Sequence, residues 1–267
     1  MPTLPIITSL APVQGHDGAT LTITGTGLSR TFKVNFGAKA VTPTTVTETT
    51  VTCVIPVLPP GENDVTVSAG ASTSNFLPFY YISPPTVLGL SSNTGPAPAT
   101  QLTVFGQSLL TATGVTFGAL GPGTGLNVVS DTSLTVFTPP HPAFPPGVCI
   151  DAVDVTVTTL GGTSVVQTAA SKYTFYKAPS VTGVVPTSAS IGSLITVSGS
   201  CLLDAVSVAF TPVGGGPPVA ANFTNISTSR ITVTVPPTLV TGTYDIQVTT
   251  PGGQTPVVPI DVFTVPL

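Results

Sequence analysis

Charge is scarce in this sequence: 6% of residues are Asp, Glu, Lys or Arg, six basic against ten acidic, for a net charge of −4. A globular chain ordinarily carries roughly a quarter charged residues. The six cations, Arg30, Lys33, Lys39, Lys172, Lys177 and Arg230, form no cluster. Such a surface cannot displace the counterions of a phosphate backbone, which excludes nucleic acid as a partner. Tryptophan is absent, and the 12 Phe and five Tyr stand mostly at core-like positions, which weakens any reading based on sugar stacking. No apolar run approaches the ~18 residues of a membrane helix, so no membrane insertion is expected. Good helix formers are sparse, which argues against a helical fold.

What is abundant is Thr, the commonest residue, then Val, with 29 Pro and 27 Gly. Side chains branched at the β-carbon are stiff and favour extended backbone, so an almost all-β fold is expected. Disorder, the other fate of a chain rich in Pro and Gly, is set aside, because 41% hydrophobic residues and a mean hydropathy of +0.52 supply enough apolar surface to offset ordering entropy.

The chain repeats itself three times. Each copy opens on Pro and an alternating segment: Pro5-Ile-Ile-Thr-Ser-Leu10, Pro85-Thr-Val-Leu-Gly-Leu90 and Pro179-Ser-Val-Thr-Gly-Val184. An alternating strand ending in Gly follows: Thr20 to Gly25, Gln101 to Gly106, Leu194 to Gly199. Next comes Val-x-Phe, at Val34 and Phe36, Val115 and Phe117, Val208 and Phe210. In the second half, strands from Thr50 to Ile55, Ser133 to Phe137 and Arg230 to Val235 lead through a Gly-containing turn to Asp64-Val-Thr-Val67, Asp154-Val-Thr-Val157 and Asp245-Ile-Gln-Val248. A short apolar strand closes each copy, Phe76 to Tyr81, Tyr173 to Tyr176 and Val258 to Val265.

About seven short period-2 strands per ~85 residues predict antiparallel sandwiches. The expectation is three tandem immunoglobulin-like β-sandwich domains over residues 1–82, 83–177 and 178–267. Ile82-Ser-Pro-Pro85 and Lys177-Ala-Pro179 are short Pro-bearing linkers that restrict a hinge, so an elongated, semi-rigid array on the order of 100 Å is expected.

The motifs T-I-T-G-T-G-L, V-N-F-G, P-P-G, D-V-T-V and a closing F-Y resemble the IPT/TIG family over nearly the whole chain. The third copy departs from the pattern in having Thr211 after Val-x-Phe and no P-P-G. The resemblance implies an immunoglobulin-like fold and carries over no catalytic set. Family members occur in plexin-like receptors, Rel-type transcription factors, bacterial surface proteins, carbohydrate-active enzymes and phage virion proteins.

For chemistry the sequence offers little. His16 and His141 lie in loops of different copies, without the neighbours that nucleophilic catalysis or metal ligation requires, and read as solvated. Asp151 with Asp154, and Glu62 with Asp64, could bind Ca²⁺ but lack the dense spacing of a calcium loop, and acceptance of backbone hydrogen bonds is the plainer reading. No cofactor or metal is expected, and no enzymatic activity. Cys53 alternates as a core residue. Cys149 and Cys201 stand at different places in their copies and read as buried or inert thiols, although an odd count leaves room for an interchain crosslink.

One insertion stands out. Leu134 and Asp154 are 20 positions apart, against 13 for Val51 and Asp64 and 14 for Ile231 and Asp245. The inserted Thr138-Pro-Pro-His-Pro-Ala-Phe-Pro-Pro-Gly-Val-Cys-Ile150 is stiffened by proline and is the candidate protein-contact loop, with His141, Phe144, Cys149 and Ile150 as its contact residues. Phe144 could equally cap its own sandwich. The Gly-rich stretch Pro212 to Pro218 reads as flexible connection.

Met1 to Leu10 carries no Lys or Arg ahead of an apolar stretch, and the closing DVFTVPL resembles no sorting or lipidation signal, so no export signal is expected. The function that follows is non-enzymatic: a bacteriophage virion component, a capsid decoration or head or tail fibre protein, docking on a capsid or tail protein lattice and possibly pairing with itself. The alternative is a bacterial cell-surface or matrix adhesin, located extracellularly. A carbohydrate-binding accessory array is a weaker third reading.

Overall fold

The structure, a computed structural model, describes residues 4–166 and 169–267; residues 1–3 of the opening segment and residues 167–168 lie outside the described residues. It is all-β, three immunoglobulin-like sandwiches in tandem, each with its own buried cluster. The described residues hold no α-helix, only 3-10 turns at Gly118–Leu120 and Pro259–Asp261, and no helix long and apolar enough to cross a membrane.

In the first sandwich one sheet runs in the order Ile6–Ala11, Thr20–Thr26, Thr50–Val54, Thr45–Val46. The facing sheet runs Gln14–Gly15, Leu77–Tyr81, Gly61–Ala69, Thr31–Phe36, Lys39–Val41. Pairing is antiparallel except where Gln14–Gly15 lies parallel to Leu77–Tyr81. The opening segment thus starts in one sheet and ends on the edge of the other, holding the sandwich shut along that side. The second sandwich repeats this with Thr86–Leu90 and then Thr94–Pro96 parallel to Lys172–Tyr176. The third does so with Ser180–Val185 and a parallel bridge from Ser188 to Thr264.

The alternation in sequence becomes the two faces of each strand. Leu21, Ile23, Val34, Phe36, Val65 and Val67 point inward in the first sandwich, and Phe36 meets Phe79 edge to face with centroids 5.9 Å apart. Phe117 with Phe175 and Phe210 with Phe263 do the same in the others. Each such Phe contributes about 1.5–3 kcal/mol by leaving water. The outward positions are hydroxyls: Thr22 stands opposite Thr52, Thr103 opposite Thr135, and Thr196 opposite Thr232. The Thr52 hydroxyl also bonds those of Thr44 at 2.7 Å and Thr45 at 2.6 Å. Polar satisfaction that charged residues usually supply is met here by threonine.

The glycine that ends the second strand of every copy has a steric cause. A β-carbon on Gly25, Gly106 or Gly199 would overlap the carbonyl oxygen of Ile6, Thr86 or Ser180 on the adjoining strand. Each opening strand is bulged where it meets this glycine. Three residues on, Leu28, Leu109 and Leu202 enter the core.

Candidate functional site

The turn between those glycines and leucines faces the preceding module in the second and third copies. Its second residue, directly before the leucine, has positive φ in all three: Gly27 at 68°, Ser108 at 58° and Cys201 at 55°. The backbone N–H of the following leucine donates to Glu48, Asp131 or Thr228, so the turn is held identically in each copy. Opposite it, the last strand of the preceding module ends on Tyr81 or Tyr176, paired in register with Gly61 or Ile150. The residue just before that partner is Pro60 at the first joint and Cys149 at the second. Cys149 and Cys201 are thereby brought face to face, and they form a disulfide with a Cα–Cα distance of 5.3 Å.

This corrects the reading of both cysteines as inert thiols, and of an interchain bond as the alternative: the crosslink is within one chain and between two modules. The sequence signal existed but was indirect. Cys149 stands immediately before the Ile150–Thr159 strand and Cys201 two residues after the repeated glycine, and both places become neighbours only across a joint. Cys53 stays a free thiol in the first core, and burial pushes it up to about 12.

The inserted loop leads into this bond, and its first half folds back on its own module. The His141 ring stacks on Phe144 with centroids 4.0 Å apart and lies 5.3 Å from Phe175. Its side chain is only 5% exposed. Nε2 lies 3.0 Å from Asp151 Oδ2, and Nδ1 lies 2.6 Å from the Pro142 carbonyl. Both ring nitrogens face acceptors. Phe144, half-buried, packs on the second core. Of the four predicted contact residues, His141 and Phe144 therefore cap their own sandwich, Cys149 is bonded, and Ile150, 51% exposed, faces outward.

Beside the disulfide is a groove of about 240 Å³ lined by Val148, Ile150, Tyr176, Leu203 and Asp204. The Tyr176 hydroxyl of the second module donates to Asp204 Oδ2 of the third at 3.4 Å. Burial first, and then the Asp204 charge and hydrogen bond, push the Tyr176 phenol up. Asp204 has positive φ, 66°, which places its carboxylate over the joint. The first joint has the same parts without the crosslink: Pro60, Tyr81, Ser108 and Leu110 line a groove there. Tyr81 donates to Asp17 at 2.8 Å, within its own module.

Of the acidic pairs weighed for Ca²⁺, Glu62 and Asp64 stand exposed on one face of the Gly61–Ala69 strand. Asp151 meets His141, and Asp154 accepts from Lys172 at 2.8 Å. Among the described residues, no group of three or more His, Cys, Asp or Glu could hold a metal ion. His16 lies at the first joint, where its ring approaches Gly162 of the second module. The Gly-rich stretch Pro212 to Pro218 connects the strand Ser207–Pro212 to Val219–Ala220, which pairs with Phe210 and Ala209.

Comparison with known proteins adds the following. A crystal structure with xylogluco-oligosaccharide shares 20% identity over 98% of this chain and 60% of its own, at a TM-score of 0.41. The plexin A4 extracellular region shares 17% identity over 88% of this chain and 21% of its own, at a TM-score of 0.37. SGBP-B of the Bacteroides ovatus mixed-linkage glucan utilization locus, in complex with a mixed-linkage heptasaccharide, shares 14% identity over 87% of this chain and 68% of its own, at a TM-score of 0.28. The chain thus spans under two thirds of the first two. No curated protein matches in sequence. These superpositions are loose, and the assignment rests instead on the IPT/TIG domain model, which matches residues 5–81 and 179–264 and leaves the middle module, with its insertion, unmatched. The chain belongs to the IPT/TIG domain family.

Proposed function

We propose that this chain is a non-enzymatic binding array displayed outside the cell, an adhesin of the cell surface or matrix. The observation that supports it is the Cys149–Cys201 disulfide. Such bonds persist in oxidising compartments and are rare where glutathione and thioredoxin keep thiols reduced. This one occupies a turn whose equivalents are Gly27 and Ser108, so it is specific to one joint and foreign to the general fold. Threonine-covered sheets with little charge suit a surface that stays soluble without a strong field.

The virion reading ranked first on sequence has no comparable support, since nothing in the site is particular to a capsid or tail lattice. We assign partner contact to the second joint, with Val148, Ile150 and Leu203 as the apolar contacts around the disulfide. Partners of this kind are proteins or other surface polymers met in extended array, and no cofactor enters.

The test is mass spectrometry under non-reducing conditions on the washed cell-surface fraction and on purified phage particles of the source strain. Recovery from the surface fraction, with the Cys149–Cys201 peptide pair intact, is the expected result. Recovery only in particles, at a fixed ratio to the capsid protein, overturns it in favour of a virion component.

A further inference from the structure

Each joint joins two faces that can be followed from copy to copy. The face that receives the next module centres on the end of the last strand and the residue before its partner: Tyr81 and Pro60, then Tyr176 and Cys149. In the third module the same register, Val265 opposite Gly242, puts Val265 and Thr241 there. The face that inserts carries two marks. One is a leucine directly after the buried turn leucine: Leu110 lines the first joint and Leu203 the second. The other is a hairpin glycine. A β-carbon on Gly161 would overlap the Ser83 carbonyl of the first linker, and one on Gly252 would overlap the Lys177 carbonyl of the second.

The first module has neither mark. Ser29 follows Leu28, and the hairpin position between Ala69 and Ser72 is filled by Gly70 and Ala71, which carries a β-carbon where the other modules have none. Its exposed end is therefore not shaped to insert. The third module, by contrast, has the receiving face in full. Ser190, Ile191, Leu239, Val240, Thr241 and Val265 border a groove of about 420 Å³. Val240 is 72% exposed and Ile191 50%.

We infer that this far face of the third module is a docking surface for another module of the same fold, one presenting the exposed leucine and the hairpin glycine. Its basis is continuity with the two joints already built on the equivalent face. A second copy of this chain is a poor occupant, because the inserting face of its first module offers Ser29, Arg30 and Ala71.

The test extends the whole chain by a second copy of residues 179–267 placed directly after Leu267, which reproduces the spacing of the second joint. Thr241→Cys in the resident third module then stands where Cys149 stands, and the appended copy supplies Cys201. Under mild oxidation this pair is expected to form about tenfold faster than in the same chain also carrying Val240→Asp and Ile191→Asp, since docking raises the effective concentration of the thiols. Equal rates with and without the two aspartates overturn the inference. Hydrogen exchange gives a second reading. Slowed exchange at Leu239 to Thr241 on extension supports docking, and unchanged exchange there overturns it.

Discussion

Gly25 illustrates how much a single atom decides in this fold. Its missing β-carbon is the space that the Ile6 carbonyl occupies. Gly25→Ala is expected to destabilise the first module by about 2–3 kcal/mol, because strand separation or rebuilding of the bulge must follow. Urea unfolding followed at the first module checks this, with Gly37→Ala, which has nothing near its β-carbon, as the comparison for local strain alone. Asp261 makes the opposite kind of demand. It is buried, accepts from the Val258 N–H at 3.2 Å through Oδ2, and leaves Oδ1 without a partner. Burial holds its carboxyl above the ordinary carboxylate range. The protonated form is thus the one the fold prefers, and the stability it brings is present at low pH and lost as pH rises through the folded-state value. Asp261→Asn is expected to raise the melting temperature of the third module by a few degrees near neutral pH, and to lose that advantage at about pH 3, as calorimetry would show.

The turn that holds Cys201 shows what an element asks of its residues. Positive φ at this place costs little for Gly27 and more for any residue with a β-carbon. The cost at Cys201 is tolerated because the bond to Cys149 needs that side chain there. With Cys149→Ser removing the bond, Cys201→Gly is expected to be more stable than Cys201→Ala by about 1 kcal/mol, read from thermal unfolding. Most of this element was legible in sequence: the repeated glycine, the Val-x-Phe pair and the alternating strands all take the places their spacing implies. The inserted loop was legible only as an insertion. That His141 would stack on Phe144 and turn inward depends on Asp151 and Phe175, which come close only once the sheet has formed. The disulfide was hidden for the same reason, since repeat alignment compares like positions and this bond joins unlike ones.

Across the whole molecule the two joints are versions of one design. Pro60 and Ser108 stand where Cys149 and Cys201 stand, so Pro60→Cys with Ser108→Cys is expected to close a second crosslink without a reagent beyond air oxidation. Intact mass after thiol alkylation reads it directly, and failure to oxidise would show that the first joint departs from the second. The sequence foresaw restricted linkers from their prolines. It did not foresee that Gly161 and Gly252 seat those linkers on the next module, because a lone glycine in a hairpin reads equally well as turn chemistry.

The disulfide also decides what happens if the protein is pulled from its ends. Force entering the second module leaves it at Cys149 and re-enters the third at Cys201, so the stretch between them, which spans a sequence separation of 52, lies outside the line of tension. That stretch includes the closing strands Ile150–Thr159 and Lys172–Tyr176 and the opening strand Ser180–Val185. At ~3.5 Å per residue, roughly 180 Å of chain is kept in reserve. Single-molecule extension is expected to come up short by that length, and to regain it when a reductant is added.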